Sequence, residues 1–124
     1  MMGRIHQSGA LDRLSTDAFN QVLQGIDLYK RVLREHIPQT VPFYPLGMPD
    51  VTDAESPIAL GMRAPGLTWM AVWRLNGSPK VQIPWASQPP RILFPTDLPI
   101  SLERENDQLV IEFPRTKMAC LVYV

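Results

Sequence analysis

The sequence predicts a mixed α+β fold, mainly β, in which one N-terminal amphipathic helix precedes an antiparallel β-sandwich. Two observations support this prediction. All 13 prolines lie at or after Pro38, and the spacing of the apolar residues changes near the same point. Proline inside a helix costs about 3 kcal/mol, whereas turns and strand ends tolerate it. The first third of the chain therefore permits a helix, and the remainder is divided into short segments.

The predicted helix covers residues 16–36. Apolar residues in this stretch recur at the i, i+3, i+4, i+7 spacing of one helix face. Ser15 suits the N-cap, and Arg34 lies in the last turn, where the helix dipole favours a cation. Pro38 ends the helix. Because a single amphipathic helix must bury its apolar face, we expect it to cover either the following sheet or a part of the protein outside this chain.

Seven short apolar runs, separated by turn residues, predict the strands. Such runs at nearly regular spacing are typical of an antiparallel sandwich or a barrel-like sheet. Asn76-Gly77 predicts a hairpin between the second and third runs, and Asn106-Asp107 predicts one between the fifth and sixth. The second run is apolar on both faces, which predicts a central strand. The runs are 58–63, 67–75, 81–84, 91–94, 100–104, 109–113 and 118–124. Residues 39–56 predict an irregular connector.

Charge and composition exclude several functional classes. Twelve Lys and Arg balance twelve Asp and Glu, which gives no support to a nucleic-acid or membrane partner, since both depend on excess positive charge. No apolar run reaches the roughly 18 residues of a membrane span, and we expect no signal peptide, because no charged segment precedes a hydrophobic stretch at the start. We therefore expect a soluble, cytoplasmic protein. The single Cys120 excludes an internal disulfide and a multi-cysteine zinc site, and it fits a reducing compartment.

The sequence offers no self-contained catalytic or cofactor site. His6 and His36 are thirty residues apart and have no partner cysteine, so we expect no metal centre. The seven glycines fit neither the dinucleotide-binding nor the P-loop spacing, and we expect no cofactor. Asp50, Asp53 and Glu55 lie in the connector, and functional residues are more frequent in such loops. However, no pair of carboxylates has the flanking glycine or aromatic residues that would indicate a catalytic cleft. The alternation around Cys120 predicts a buried, inert thiol.

The aromatic residues leave a sugar-binding surface open as an alternative. Trp69 and Trp73 lie in the most apolar run, which predicts core positions. Trp85 follows Pro84 at a strand end and is the better candidate for an exposed ring. With Phe43 and Tyr44, it could stack on sugar rings in a carbohydrate-binding module.

Six segments, in order over essentially the whole chain, resemble the C-terminal part of bacterial and fungal α-galactosidases of glycoside hydrolase family 36 (melibiases). The segments are Gly3-Arg4-Ile5-His6-Gln7-Ser8-Gly9-Ala10-Leu11-Asp12, Tyr29-Lys30-Arg31, His36-Ile37-Pro38, Pro42-Phe43-Tyr44-Pro45-Leu46-Gly47, Ala59-Leu60-Gly61-Met62-Arg63 and Met70-Ala71-Val72-Trp73-Arg74.

The resemblance implies that a preceding catalytic domain carries out the chemistry and that this chain is mainly an accessory domain. In the family, a (β/α)8 barrel carries the chemistry and a C-terminal antiparallel β-sandwich packs beside it. Residues 1–38 then correspond to the last strand, loop and helix of the barrel, and residues 57–124 to the sandwich. The two catalytic aspartates of the retaining mechanism fall upstream, so no catalytic residue is assigned here. Only Gly3 and Arg4 would approach a bound galactose, because such barrels bind substrate at the C-terminal ends of their strands.

Three hypotheses follow for the chain itself. The first is that the chain is an accessory part of an α-galactosidase, and its partner is then the missing catalytic barrel. The parent enzyme would bind α-galactosides, and the isolated chain would be inactive. As a carbohydrate-binding module, it would present Trp85, Phe43 or Tyr44 to sugars. As a purely structural or oligomerisation domain, it would expose an apolar stripe along the helix, and homo-oligomers could form. That stripe comprises Phe19, Val22, Ile26 and Leu33.

Overall fold

The computed structural model describes residues 9–50, 52–85, 88 and 90–123. One helix precedes a set of antiparallel strands, as the sequence predicts. Strands β1 to β8 are Val41–Phe43, Ile58–Ala64, Leu67–Arg74, Lys80–Pro84, Arg91–Phe94, Ser101–Glu105, Gln108–Glu112 and Met118–Tyr123. All seven predicted strands are present, each within two residues of its expected bounds. Gly3, Arg4 and the other residues of 1–8 lie outside the described residues.

The helix begins at the predicted residue. Helix α1 spans Thr16–Leu28 and continues as a π-helical turn over Tyr29–Leu33. Ser15 is the N-cap, and its side-chain oxygen accepts a hydrogen bond from the backbone N–H of Ala18 at 3.3 Å. Short 3-10 turns at Leu11–Arg13 and Ile37–Gln39 flank the helix.

The strands form two antiparallel sheets. The five-stranded sheet has the order β1-β2-β3-β8-β5, and the three-stranded sheet has the order β4-β7-β6. Strand β3 occupies the centre of the larger sheet, and its residues Trp69, Met70, Ala71 and Val72 are all buried. The prediction of a central strand buried on both faces is therefore confirmed.

The two faces of β3 belong to two different hydrophobic clusters. Even-numbered residues such as Met70 and Val72 join the first cluster, which also takes Ile83, Leu109 and Ile111 from the smaller sheet. This first cluster holds the two sheets together. Odd-numbered residues such as Trp69 and Ala71 join the second cluster on the opposite face.

The second cluster shows what covers the helix. Leu33 is fully buried there among Met62, Ala64, Trp69 and Leu121 of the larger sheet. Further residues from the end of the helix and the turn after it pack against the same cluster, namely Leu28, Tyr29, Val32 and Ile37. The expectation that Leu33 belongs to an exposed stripe is therefore wrong, because this part of the helix packs on the chain's own sheet.

The two predicted hairpins have opposite outcomes. Asn106 and Asp107 form the two-residue turn between β6 and β7, both with positive φ, as a type I′ turn requires. Asn76-Gly77 does not close a hairpin, because β3 and β4 belong to different sheets. The Arg74 guanidinium instead donates two hydrogen bonds, of 3.0 and 2.9 Å, to the carbonyl oxygen of Gly77.

The segment expected to be an irregular connector contains strand β1 at its start. This strand pairs with β2 at the edge of the larger sheet, with Val41 opposite Arg63 and Phe43 opposite Gly61. Pro42 at its centre makes the sequence look unlike a strand. An edge strand nevertheless tolerates proline, because the side of the strand that faces away from the sheet makes no ladder hydrogen bonds.

Candidate functional site

The carboxylates do not form a buried acid–base pair. All twelve Asp and Glu side chains lie in the described part of the chain; eleven are exposed, and Asp53 is partly exposed. A carboxylic acid that must carry a proton near neutral pH needs desolvation or a close like charge to raise its pKa. None of these twelve side chains is buried.

Asp50 and Asp53, the loop acids that the sequence singles out, bind their own loop. Asp50 Oδ1 accepts hydrogen bonds from the backbone N–H and the hydroxyl of Thr52, at 2.8 and 2.7 Å. These bonds stabilise the charged carboxylate and lower the pKa of Asp50. Asp53 Oδ1 accepts from the backbone N–H groups of Glu55 and Ser56, at 2.8 and 3.0 Å, and hydrogen bonding to Ser56 is the main cause of its lowered pKa.

The turn that Asp53 stabilises packs against the link between the two sheets. The backbone N–H of Asn76 donates to the carbonyl oxygen of Ala54 at 3.1 Å. Gly77 lies so close to Glu55 that a Cβ there would collide with the Glu55 carbonyl oxygen. Asp50 and Asp53 therefore act in this structure as turn-forming residues, and their carboxylates are occupied by local hydrogen bonds.

The tryptophans contribute to the core more than to the surface. Trp69 is fully buried, and Trp73 packs against the same cluster. Trp85, predicted to be the best candidate for an exposed ring, is half-buried and packs against the cluster between the sheets. Its indole N–H donates to the carbonyl oxygen of Gln88 at 2.8 Å. The polar atom of Trp85 is thus already used within the chain.

Phe43 and Tyr44 differ in what they offer to a ligand. The Phe43 ring lies directly on Gly61, and the Arg63 guanidinium carbon lies 4.9 Å from the ring centroid, in cation–π contact. Phe43 is therefore half-buried, whereas Tyr44 is 41% exposed. Phe43 and Trp85 are each held by contacts within the chain, which disfavours an exposed planar platform of these rings with Tyr44.

The contact between Phe43 and Arg63 was missed in the sequence. Gly61 gives the relevant indication, since glycine inside a strand often marks the close approach of another group. That group is an aromatic ring from the neighbouring strand. The glycine alone does not reveal which ring, because strand β1 is itself concealed by its proline.

An exposed apolar surface lies on the N-terminal half of the helix. Phe19 and Leu23 are one helical turn apart and are 37% and 49% exposed, and Leu14 before the helix is also exposed. Val22 and Ile26 are half-buried. The described part of the chain thus buries the apolar residues of the helix at its C-terminal end and leaves several uncovered at its N-terminal end.

The remaining candidate groups are inert or dispersed. Cys120 is buried, and desolvation raises the pKa of its thiol to about 12, as expected for a packed and unreactive cysteine. Within the described ranges, no group of three or more His, Cys, Asp or Glu residues is placed to hold a metal ion. In the same ranges, no helix has the length and apolarity to cross a membrane.

Comparison of the chain with protein-family models, with curated proteins and with solved structures gave no significant match. The geometry and the sequence are therefore the basis for the functional proposal.

Proposed function

We propose that this chain is the C-terminal, non-catalytic part of an α-galactosidase of the family 36 type. In this proposal, its two sheets form the accessory β-sandwich, and its helix is the last helix of the catalytic barrel, with its N-terminal half packed against the preceding barrel strands. The full-length enzyme hydrolyses terminal α-galactosyl groups with aspartates that lie upstream of this chain. Binding of a galactose edge by Gly3 and Arg4 belongs to the same proposal.

The first support comes from the positions of the segments that resemble the family. Tyr29 and Ile37 pack at the end of the helix, and Met62, Ala71 and Trp73 lie on the sheet face beneath it. Phe43, Gly61 and Arg63 form the contact at the edge of the same sheet. The matching segments therefore share a structural role: most of them build the packing of the helix and strand β1 on the larger sheet.

The second support comes from the exposure of the acids. A retaining glycosidase places two carboxyl groups about 5–5.5 Å apart, one of them protonated at working pH. The twelve Asp and Glu side chains of this chain are exposed or partly exposed, and those of Asp50 and Asp53 accept hydrogen bonds within their own turns. An accessory role accounts for a glycosidase-like sequence without such a pair.

The observation that carries the proposal is that Phe19 and Leu23 are exposed whereas Leu33, at the far end of the same helical segment, is fully buried. A helix that only covered its own sheet would be expected to have polar residues wherever the sheet does not reach. Apolar residues at such positions indicate a second packing partner. In the proposal, that partner is the catalytic barrel.

The proposal predicts that activity belongs to the assembled enzyme. The isolated chain is expected to give no turnover of p-nitrophenyl α-galactoside above the blank. A chimera in which this chain replaces the C-terminal part of a family 36 enzyme is expected to hydrolyse the substrate. The matched control is the same enzyme truncated at the junction, which is expected to be inactive or unfolded.

Two results would contradict the proposal. One is turnover by the isolated chain that is lost on substituting one of its own acids, for example Asp53→Asn. The other is a folded chimera, verified by circular dichroism, that has no more activity than the truncated control.

A further inference from the structure

We draw no further inference here: the strongest candidate, the exposed apolar side chains of Val41, Tyr44 and Met48 at and after the edge strand β1, carries no proposal because nothing in the structure shows what covers them.

Discussion

At the scale of single residues, Gly61 and Phe43 form a contact that tolerates no added atom. A Cβ at position 61 would collide with the Phe43 ring, so Gly61→Ala must displace that ring and its contact with Arg63. Overpacking of this kind costs about 1–3 kcal/mol. We expect Gly61→Ala to lower the free energy of unfolding by about that amount in urea denaturation.

A double-mutant cycle checks the cause of this loss. In a Phe43→Ala background the ring is absent, and Gly61→Ala is expected to cost much less than in the wild-type chain. Gly77→Ala is the contrasting variant, because its collision is with the Glu55 carbonyl oxygen and is unaffected by Phe43. Equal costs of Gly61→Ala in both backgrounds would contradict the contact.

Cys120 provides a second test at a single position. Because burial raises the pKa of its thiol from an ordinary 9.0 to about 12, the folded chain holds almost no thiolate at pH 8. Iodoacetamide at pH 8 is expected to add nothing to the folded chain and one adduct to the chain in denaturant, measured by intact mass. Rapid labelling of the folded chain would contradict the buried position.

The same pKa difference has a defined effect on stability. Between pH 9 and 12 the thiol ionises in the unfolded state and stays protonated in the folded state, so the unfolded state binds fewer protons. Stability contributed by the neutral thiol therefore falls as the pH rises through this range. A Cys120→Ala variant is expected to show a shallower decline of unfolding free energy over the same range.

At the scale of elements, the two halves of the helix have different roles. Leu33 is fully buried, whereas Leu23 is 49% exposed. Leu33→Ala is expected to cost about 2–5 kcal/mol through lost burial and a cavity. Leu23→Ala makes the same chemical change at an exposed position of the same helix and is expected to cost less than about 0.5 kcal/mol. Urea denaturation of both variants measures the difference, and equal costs would mean that Leu33 is not in a packed core.

Seven of the eight strands in the described part of the chain were predictable because each of the seven carries a local pattern. Apolar runs gave seven strands, and Asn106-Asp107 gave the β6–β7 turn, since both residues there adopt positive φ. Asn76-Gly77 failed for a reason that is not local. The backbone N–H of Asn76 donates to the Ala54 carbonyl oxygen, and the Gly77 carbonyl oxygen accepts from the Arg74 guanidinium. These bonds stabilise a connection between the two sheets, although the dipeptide is typical of a hairpin turn.

The candidate site was less predictable than the strands, because sequence indicates residue types and not their surroundings. Trp69 was correctly placed in the core from the apolarity of its strand. Trp85 was the better candidate for an exposed ring, and the structure leaves it half-buried, with its indole N–H donating to the Gln88 carbonyl oxygen and its ring packed on the core. A strand-end position leaves both outcomes open, and the contacts of Trp85 with the core and with Gln88 decide between them.

At the scale of the whole molecule, one helix contributes to two surfaces. Its C-terminal end completes the core of the larger sheet through Leu28, Val32 and Leu33. Its N-terminal end presents Phe19 and Leu23 outward. Because helical segments are stiff, a partner that packs on the N-terminal end would be held in a fixed orientation to the sheets. The sequence alone suggested that the helix covers either its own sheet or an outside surface. The structure packs its C-terminal end on the chain's own sheet and leaves Phe19 and Leu23 exposed.

The exposed part of the helix leads to a prediction about association of the isolated chain. In the isolated chain, the apolar side chains of Phe19 and Leu23 are exposed to water and favour contacts between copies. We expect the wild-type chain to show concentration-dependent mass in sedimentation equilibrium. The double variant Phe19→Glu with Leu23→Glu is expected to be monomeric over the same concentrations, with unchanged circular dichroism.

The control separates loss of apolar surface from added charge. Asn20 and Gln24 are also exposed and one turn apart on this helix, so Asn20→Glu with Gln24→Glu adds the same charge at the same spacing and keeps both apolar residues. This variant is expected to associate like the wild type, because it keeps the apolar side chains of Phe19 and Leu23. It is a matched control, because like charges at the i, i+4 spacing affect the helix equally in both pairs. Equal loss of association in the two variants would assign the effect to charge, and a wild-type chain that stays monomeric throughout would remove the main support for a partner on this face.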